Sequence, residues 1–334
     1  MTPFVRVISL YAQILPCAWR ASRTVLPVST YPAARAFSTT VQRKSAAQSG
    51  RAPLDPPTGG KADAGTSLLG TKKHLPEFSL ADKVVLVSGG ARGLGLTQAE
   101  GLLEAGATVY ALDRLPEPSP DFHTISARAE KDLGTSLHYR QTDVCDIPNL
   151  NKIIAEIADK HGRLDGLIAA AGIQQETPAL EYTAEDANRM LSINVTGVFM
   201  TAQAAAKQMI RFGQGGSIVL IASMSGSIAN RGLICPVYNA SKAGVIQLAR
   251  NLASEWGEYN IRVNTLSPGY IVTAMVEELF KQLPERREEW PKQNMLGRLS
   301  GPREYRGAGV FLLSDASSFM TGSDLRMDGG HAAW

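Results

Sequence analysis

Short apolar runs alternate with segments of helical periodicity through most of the chain. Runs rich in Val, Ile and Leu predict strands that are buried on both faces. The segments between them place apolar residues three and four positions apart, which indicates helices. The predicted strands are 83–88, 108–112, 137–141, 166–170, 217–222, 261–266 and 324–327, and the predicted helices are 94–105, 148–160, 184–211, one that holds Tyr238 and Lys242, and 304–313.

This alternation predicts the fold class. Strand and helix in repetition specify an α/β protein whose parallel sheet is covered by helices on both faces. We therefore expect a Rossmann-type doubly wound parallel sheet. Neither an internal repeat nor a second change of composition interrupts residues 78–334, so they are expected to form a single domain.

The first 77 residues lack the alternation and differ in charge. Residues 1–54 contain seven Lys or Arg and no Asp or Glu, so the remainder of a chain with net charge +3 carries 3 − 7 = −4. A mildly acidic body gives no electrostatic reason to expect nucleic acid binding. Residues 45–77 are rich in Gly, Pro, Ala and Lys without apolar periodicity, which predicts a flexible linker.

Residues 1–44 have the pattern of a mitochondrial transit peptide. The apolar positions between Phe4 and Ala18 share one helical face, and residues 1–44 are rich in Arg, Ser and Ala and free of acids. This amphipathic stretch is too short and too charged to span a membrane. Similarity to the matrix-protease pattern places a cut between Phe37 and Ser38, so we expect the mitochondrial matrix; the alternative is a disordered basic tail.

The cysteines and histidines indicate no metal site. Cys17, Cys145 and Cys235 are odd in number and without a C-x-x-C motif, which predicts neither a disulfide framework nor a zinc site. The five His show no paired ligand spacing. Cys235 precedes Tyr238 by three residues, where a small apolar filler is favoured over a reactive thiol.

A glycine-rich turn, S-G-G-A-R-G-L-G at 88–95, follows the first predicted strand and opens the first predicted helix. Glycines there allow a tight turn and a close approach of the backbone to a pyrophosphate at the helix N-terminus. Asp113 ends the second strand, where a carboxylate can bind the adenine-ribose diol. Alone the turn is a weak signal, but this context predicts a dinucleotide site.

Tyr238 and Lys242 indicate acid/base chemistry. They are four residues apart, so on a helix they share one face. An ammonium about 4 Å from a phenol, at an effective dielectric of about 20, contributes about 4 kcal/mol, which lowers the phenol pKa from about 10 towards neutrality. We therefore expect Tyr238 to act as an acid and base near neutral pH, which indicates an enzyme.

Residues 80–332 resemble the short-chain dehydrogenase/reductase family. The glycine spacing G-x-x-x-G-x-G and the Y-x-x-x-K motif both match that family. The resemblance implies NAD(P)-dependent interconversion of a secondary alcohol and a ketone. The other matching elements are Asp143-Val144, Asn194 in S-I-N-V, Ser223 in S-M-S-G, Pro268-Gly269 and the terminal Asp328-Gly329-Gly330.

The resemblance implies a catalytic set of Asn194, Ser223, Tyr238 and Lys242. Tyr238 would exchange a proton with the substrate oxygen, and Lys242 would lower its pKa and bind the nicotinamide ribose. Ser223 would bind the same oxygen, and Asn194 would hold a water in the proton path. Ser225 has a spacing to the tyrosine that is frequent in the family, but the glycine three residues after the catalytic serine selects Ser223.

The resemblance also implies the cofactor site, in which Asp143 and Val144 hold the adenine. Where the family has N-N-A-G, the chain has A-A-A-G at 169–172, which puts stabilisation of the central sheet in doubt. The implied cofactor-binding residues are Gly89, Arg92, Gly93, Leu94, Gly95, Asp113, Asp143, Val144, Ala170, Gly172, Tyr238, Lys242, Pro268, Gly269, Ile271 and Thr273.

Cofactor choice depends on the end of the second strand. The carboxylate of Asp113 repels a 2′-phosphate and favours NAD, whereas Arg92 and Arg114 would accommodate the phosphate of NADP. NAD is the favoured prediction.

Three functions remain open. The S-M-S-G and Y-N-A-S-K-A-G-V strings resemble fungal polyol dehydrogenases and ketose reductases acting on arabinitol, mannitol, sorbose or xylulose. Alternatives are a mitochondrial 3-oxoacyl-thioester reductase and a non-catalytic nucleotide-binding regulatory protein.

Residues 275–297 are charged, which indicates a mobile lid or a solvated helix pair. The resemblance further implies a homotetramer or homodimer packed through two long helices.

Overall fold

The computed structural model describes residues 75–334, with the exception of the Met275 side chain. The predicted transit peptide and residues 45–74 of the predicted linker lie outside the described residues. Among residues 75–334, no helix has the length and apolarity needed to cross a membrane.

Seven parallel strands form one sheet in the order β3-β2-β1-β4-β5-β6-β7. The order reverses between β1 and β4, and in such sheets a crevice for ligands opens at the carboxyl ends of these two strands. The predicted sheet is confirmed. Its strands are β1 (Val84–Ser88), β2 (Thr108–Asp113), β3 (Leu137–Gln141), β4 (Gly166–Ala169), β5 (Gly216–Ile221), β6 (Ile261–Pro268) and β7 (Asp324–Met327).

Helices cover both faces of this sheet. Leu150 and Ile154 belong to the core on one face, and Leu102 and Leu312 belong to the core on the other. Two buried layers explain why the central strands are apolar on both sides. The helices are α1 (Gly93–Glu104), α2 (Pro120–Arg128), α3 (Ile147–His161), α4 (Ala184–Leu191), α5 (Val198–Phe212), α6 (Pro236–Trp256), α7 (Ala274–Gln282), α8 (Glu285–Glu289) and α9 (Arg306–Leu313).

Local sequence explains where the helices begin and end. The Asp146 carboxylate accepts a hydrogen bond from the Asn149 backbone N–H and so caps α3, which ends at Gly162 in the left-handed conformation (φ 64°). The Thr273 hydroxyl accepts from the Val276 N–H and caps α7. This hydrogen bond sets the start of α7 directly after Thr273, the last residue of the predicted cofactor site.

The predicted helix over 184–211 is interrupted. A π-helical turn, Ser192–Gly197, separates α4 from α5 and contains Asn194. Such turns are frequent at functional sites because the extra residue redirects side chains. The hydrophobic pattern also failed to predict α2. Phe122 is the one buried residue of that helix, so its sequence shows no apolar stripe.

The central sheet keeps its register at the A-A-A-G segment. Ala169 pairs with Ser88 of β1 and with Leu220 of β5. The Ser88 carbonyl accepts from the Ala170 N–H at 3.1 Å, and the Ser88 hydroxyl accepts from the Ala171 N–H at 3.3 Å. These bonds hold β4 against β1 without the two asparagine side chains, so the expected weakness is not found.

Candidate active site

The glycine turn forms a cradle at the crevice between β1 and β4. A Cβ on Gly89 (φ 68°) would lie 2.8 Å from the Ala171 nitrogen, and one on Gly95 would overlap the Gly89 carbonyl. Gly93 has φ 58° and open space around it. Backbone alone therefore lines the start of α1, where N–H groups favour a phosphate, and this geometry fits a dinucleotide.

Asp113 lies at the end of β2 and supports this cradle. One carboxylate oxygen accepts from the Ala91 N–H at 3.2 Å and the other from the Leu115 N–H at 3.3 Å. The side chain is half-buried, whereas Arg92 and Arg114 beside it are exposed. The carboxylate thus holds the glycine turn and retains accepting capacity for the hydroxyl groups of a ribose.

The remaining predicted cofactor residues lie after β3, β4 and β6. The exposed Asp143 carboxylate accepts from the Cys145 N–H at 2.9 Å, and the buried Val144 packs against Gly197. Partly buried Leu94 belongs to the first turn of α1, and Ala170 and Gly172 follow β4. Pro268 ends β6, Gly269 packs against Asp328, Ile271 pairs with Ser300, and Thr273 caps α7.

Tyr238 and Lys242 lie on the first two turns of α6. The Lys242 Nζ donates to the Ile221 carbonyl at the end of β5 at 2.8 Å and lies 5.7 Å from the centre of the Tyr238 ring. Lys242 is only 6% exposed. The ammonium is therefore tied to the sheet and lies near the phenol ring.

Ser223 is the serine that the structure places next to Tyr238. It follows β5, its hydroxyl accepts from the Ser225 N–H at 3.1 Å, and it lies close enough to the Tyr238 hydroxyl to lower the Tyr238 pKa. A Cβ on Gly226 would lie 2.7 Å from the Lys242 carbonyl carbon. Glycine at 226 therefore lets the serine loop pack directly on the backbone of α6.

Asn194 is fully buried and joins two parts of the site. Its Nδ2 donates to the Ile173 carbonyl at 2.9 Å and to the Ser241 hydroxyl at 3.1 Å, while its Oδ1 accepts from the Ile173 N–H. A Cβ on Gly172 would lie 3.3 Å from Asn194 Oδ1 and 3.7 Å from Lys242 Nζ. The π-helical turn thus places Asn194 beside the loop after β4 and near Lys242.

Burial controls the two titrations at the site. It raises the Tyr238 pKa to about 12, although Ser223 acts in the opposite direction, and it lowers the Lys242 pKa to about 8. Tyr238 as a whole residue is partly exposed. The expectation of a near-neutral phenol is wrong for the protein alone, because burial disfavours the phenolate and the Lys242 ammonium donates to the Ile221 carbonyl.

Residues 274–293, which we call the cap, lie beyond β6 and comprise α7, α8 and a short 3-10 helix. Phe280 and Trp290 of the cap are buried, so it packs on the protein as well as carrying charge. Trp290 stacks on Tyr270 with ring centres 4.3 Å apart. Arg286 forms two hydrogen bonds to Glu176 in the loop after β4.

The sequence interpretation missed Tyr270, Trp290 and the Glu176–Arg286 pair. Tyr270 directly follows Pro268-Gly269, so its position in the motif was available as a signal. The other contacts join residues far apart in the chain, and no local pattern indicates them. Within residues 75–334 no group of three or more His, Cys, Asp or Glu is arranged to hold a metal ion.

Most of the described chain is similar to known proteins. Residues 89–332 match a family model described as enoyl-(acyl carrier protein) reductase. A short chain dehydrogenase/reductase of Aspergillus versicolor is 42% identical over 266 residues, which covers 77% of this chain and 89% of the relative. The ribulose-forming D-arabinitol 2-dehydrogenase of Candida tropicalis is 36% identical over 271 residues, covering 78% and 96%.

A solved structure agrees with the fold. The gluconate 5-dehydrogenase of Burkholderia cenocepacia, in complex with NADP and tartrate, has a TM-score of 0.69 and 33% sequence identity. The match covers 78% of this chain and 98% of that one. The similarity therefore extends over the whole sheet and its helices.

Proposed function

The chain belongs to the short-chain dehydrogenase/reductase family, and from that premise we propose that it interconverts a polyol and the corresponding ketose with NAD. The enzyme class predicted from the sequence, an NAD(P)-dependent alcohol dehydrogenase or ketoreductase, is confirmed. The main support for this reaction is the position of Ser223 beside Tyr238. Lys242 lies one turn further along α6, and its ammonium donates to the last residue of β5. The substrate class is supported by the Candida tropicalis relative.

In the proposed mechanism the nicotinamide, when bound, supplies or takes up the hydride. Ser223 binds the substrate oxygen, and the Tyr238 hydroxyl gives that oxygen a proton in reduction and removes it in oxidation. With a pKa of about 12, Tyr238 is protonated at neutral pH and ready to donate. Lys242 binds the ribose, and Asn194 anchors a water that passes protons between Lys242 and solvent.

A nicotinamide cofactor is supported, and NAD is the form we propose. The Asp113 carboxylate is fixed by two backbone N–H groups at the end of β2, so it cannot turn away from a 2′-phosphate without releasing the glycine turn. Arg92 and Arg114 are exposed and not held there by such bonds. The Burkholderia cenocepacia enzyme was solved in complex with NADP, so a preference for NADP is the alternative.

Two other functions receive less support. Reduction of an acyl thioester agrees with the description of the family model, but the cap combines buried aromatic rings with paired charges, and its sequence contains no apolar run long enough to line an acyl chain. A non-catalytic nucleotide-binding protein would not need the complete set of Asn194, Ser223, Tyr238 and Lys242 that the fold brings together.

A substrate panel tests the proposal. Residues 76–334 are assayed with five- and six-carbon polyols, their ketoses and acetoacetyl thioesters, each with NAD or NADP and its reduced form. We expect a polyol–ketose pair to give the highest kcat/KM, with NAD preferred. Reduction of the thioester with a kcat/KM about a hundredfold above that of any ketose would reject the polyol assignment. A tenfold preference for NADP would reject the role of Asp113.

We also propose that the enzyme works in the mitochondrial matrix. The support is the basic, acid-free pattern of residues 1–44. A fluorescent protein fused behind residues 1–45 should enter mitochondria and begin near Ser38 after processing. A diffuse cytosolic signal would reject the assignment.

A homodimer or homotetramer is proposed to form through α5 and α6. These two helices carry a groove of about 320 Å³ on their outer face, whose lining includes Phe199, Ile210, Leu248 and Trp256. This groove lies away from Tyr238 and is suited to a second copy of the chain, not to the substrate. Sedimentation velocity distinguishes monomer, dimer and tetramer.

A further inference from the structure

Buried polar atoms without hydrogen-bond partners gather beside the cap. Within residues 75–334 these include the Tyr270 hydroxyl, the Asn230 Nδ2, the Gln293 Oε1 and the His331 Nδ1. Buried polar groups almost always have partners, because an unpaired one has given up its bonds to water. A group of them in one place marks where a polar ligand can complete the bonding.

Two of these groups, Asn230 and Tyr270, lie near the start of α6, the helix that carries Tyr238. The Asn230 Oδ1 accepts from the Asn239 Nδ2 at 3.1 Å, and Asn239 directly follows Tyr238 on α6. Asn230 also lies close enough to Tyr270 to lower its pKa, although neither group reaches hydrogen-bond geometry. The Cys235 thiol influences the pKa of both Tyr238 and Tyr270, so the two phenols lie in one neighbourhood.

The Tyr270 ring is held on its face and at its edge. Trp290 stacks on it at an interplanar angle of 13°, and His331 meets it edge-on with ring centres 5.4 Å apart. Burial lowers the pKa of His331, although Asp328 acts in the opposite direction, so burial favours the neutral form of this imidazole. The cluster therefore offers rigid, uncharged donors and acceptors, which match the hydroxyl groups of a polyol.

The nearest charges cancel one another. Arg286 donates to both carboxylate oxygens of Glu176, at 2.8 and 2.7 Å, and its guanidinium lies 5.4 Å from the Trp290 ring. The two side chains are only 16% and 28% exposed. A guanidinium fork is the usual partner of a substrate carboxylate, and here Glu176 already occupies it.

We propose that Asn230, Tyr270 and the Glu176–Arg286 pair form an electrically neutral subsite beside Tyr238, which binds the hydroxyl groups of an uncharged polyol and rejects sugar acids. Glu176 determines this specificity because it neutralises Arg286. The inference rests on the proposed polyol function and adds to it the charge of the substrate. Without Glu176, the same cap would present a free guanidinium suited to the carboxylate of an aldonate.

The test is Glu176→Gln, which keeps the size of the side chain and removes its charge. The best polyol of the panel and the aldonate of the same carbon number are assayed side by side. The wild type is expected to prefer the polyol by about a hundredfold in kcat/KM, and the variant to reduce that preference at least about tenfold, mainly through a lower KM for the aldonate.

Glu277→Gln is the matched control. It frees Arg287, whose two hydrogen bonds to Glu277 belong to the same cap but whose side chain is 51% exposed. The ratio of polyol to aldonate should stay at the wild-type value. A global effect of added positive charge would move both variants equally and would contradict the proposal.

A second variant tests the hydroxyl-binding part. Tyr270→Phe keeps the ring stack and should raise the polyol KM about fivefold to tenfold, with kcat and the cofactor KM nearly unchanged. Tyr305→Phe removes a buried phenol that bonds Ser300 and the Met327 carbonyl, and it should lower the melting temperature without moving the polyol KM.

The outcomes separate the two proposals. If the wild type oxidises a polyol but Glu176→Gln keeps the wild-type ratio in a folded protein, the subsite is wrong and the polyol function stands. An unchanged polyol KM in Tyr270→Phe likewise rejects the hydroxyl-binding part alone. If the wild type oxidises no polyol, or prefers the aldonate, the function and the subsite fail together.

Discussion

Tyr238→Phe is expected to lower kcat in both directions by about 10²- to 10⁴-fold, the range that a positioned acid or base contributes. At about 1.4 kcal/mol per tenfold, this equals about 3–6 kcal/mol of transition-state stabilisation. The ring stays on α6 beside Lys242, and only the group that exchanges the proton is lost. Cofactor affinity should therefore remain within a few fold, as measured by fluorescence titration.

Tyr259→Phe is the control for loss of a phenol elsewhere. Tyr259 is 44% exposed and follows the end of α6, and its variant should keep wild-type rates. Turnover of Tyr238→Phe near the wild-type level would remove Tyr238 from the mechanism. Loss of cofactor binding together with turnover would mean that the hydroxyl positions the cofactor instead of moving a proton.

The sheet was predictable because its central strands are buried on both faces. Strands β1, β4 and β5 contain the short apolar runs V-V-L-V, L-I-A and I-V-L-I, and the predicted bounds fall within a few residues of those observed. The helix α2 was missed because its surface is almost wholly polar. The π-helical turn at Ser192–Gly197 was missed because apolar periodicity continues through it, whereas the change lies in backbone hydrogen bonding.

The site was predictable as far as its residues form local motifs. The glycine turn and the Tyr238–Lys242 spacing specify neighbours on one element, and the fold brings Ser223 and Asn194 to them. The Glu176–Arg286 pair joins residues 110 positions apart, and only the folded chain shows it. Ser223, the serine favoured over Ser225, lowers the pKa of Tyr238, whereas Ser225 donates its backbone N–H to the Ser223 hydroxyl.

The acidity of Tyr238 was not predictable from spacing. A spacing of four residues on a helix brings an ammonium near a phenol. It determines neither where the ammonium points nor how deeply the two side chains are buried. Here the Lys242 Nζ turns to the Ile221 carbonyl, and burial opposes charge on both side chains. The sign of each pKa change follows: the neutral phenol and the neutral amine are both favoured by the protein.

Lys242→Met is expected to lose both turnover and cofactor binding. Methionine keeps most of the buried volume but cannot bind the nicotinamide ribose or the Ile221 carbonyl, which loses a donor at 2.8 Å. We expect kcat to fall at least about a hundredfold and the cofactor dissociation constant to rise about tenfold. Lys152→Ala, at an exposed position on α3, should change neither quantity.

The pH dependence of the reductive rate tests whether the reaction requires Lys242 in its cationic form. Its pKa is lowered to about 8, so the ammonium is present below that pH and is lost above it, while Tyr238 stays protonated up to about pH 12. The wild-type reductive rate should therefore decline as pH rises through about 8, and the residual rate of Lys242→Met should lack this decline. A wild-type decline that persists in Lys242→Met would assign the titration to another group, and unchanged cofactor affinity would contradict the binding of the ribose by Lys242.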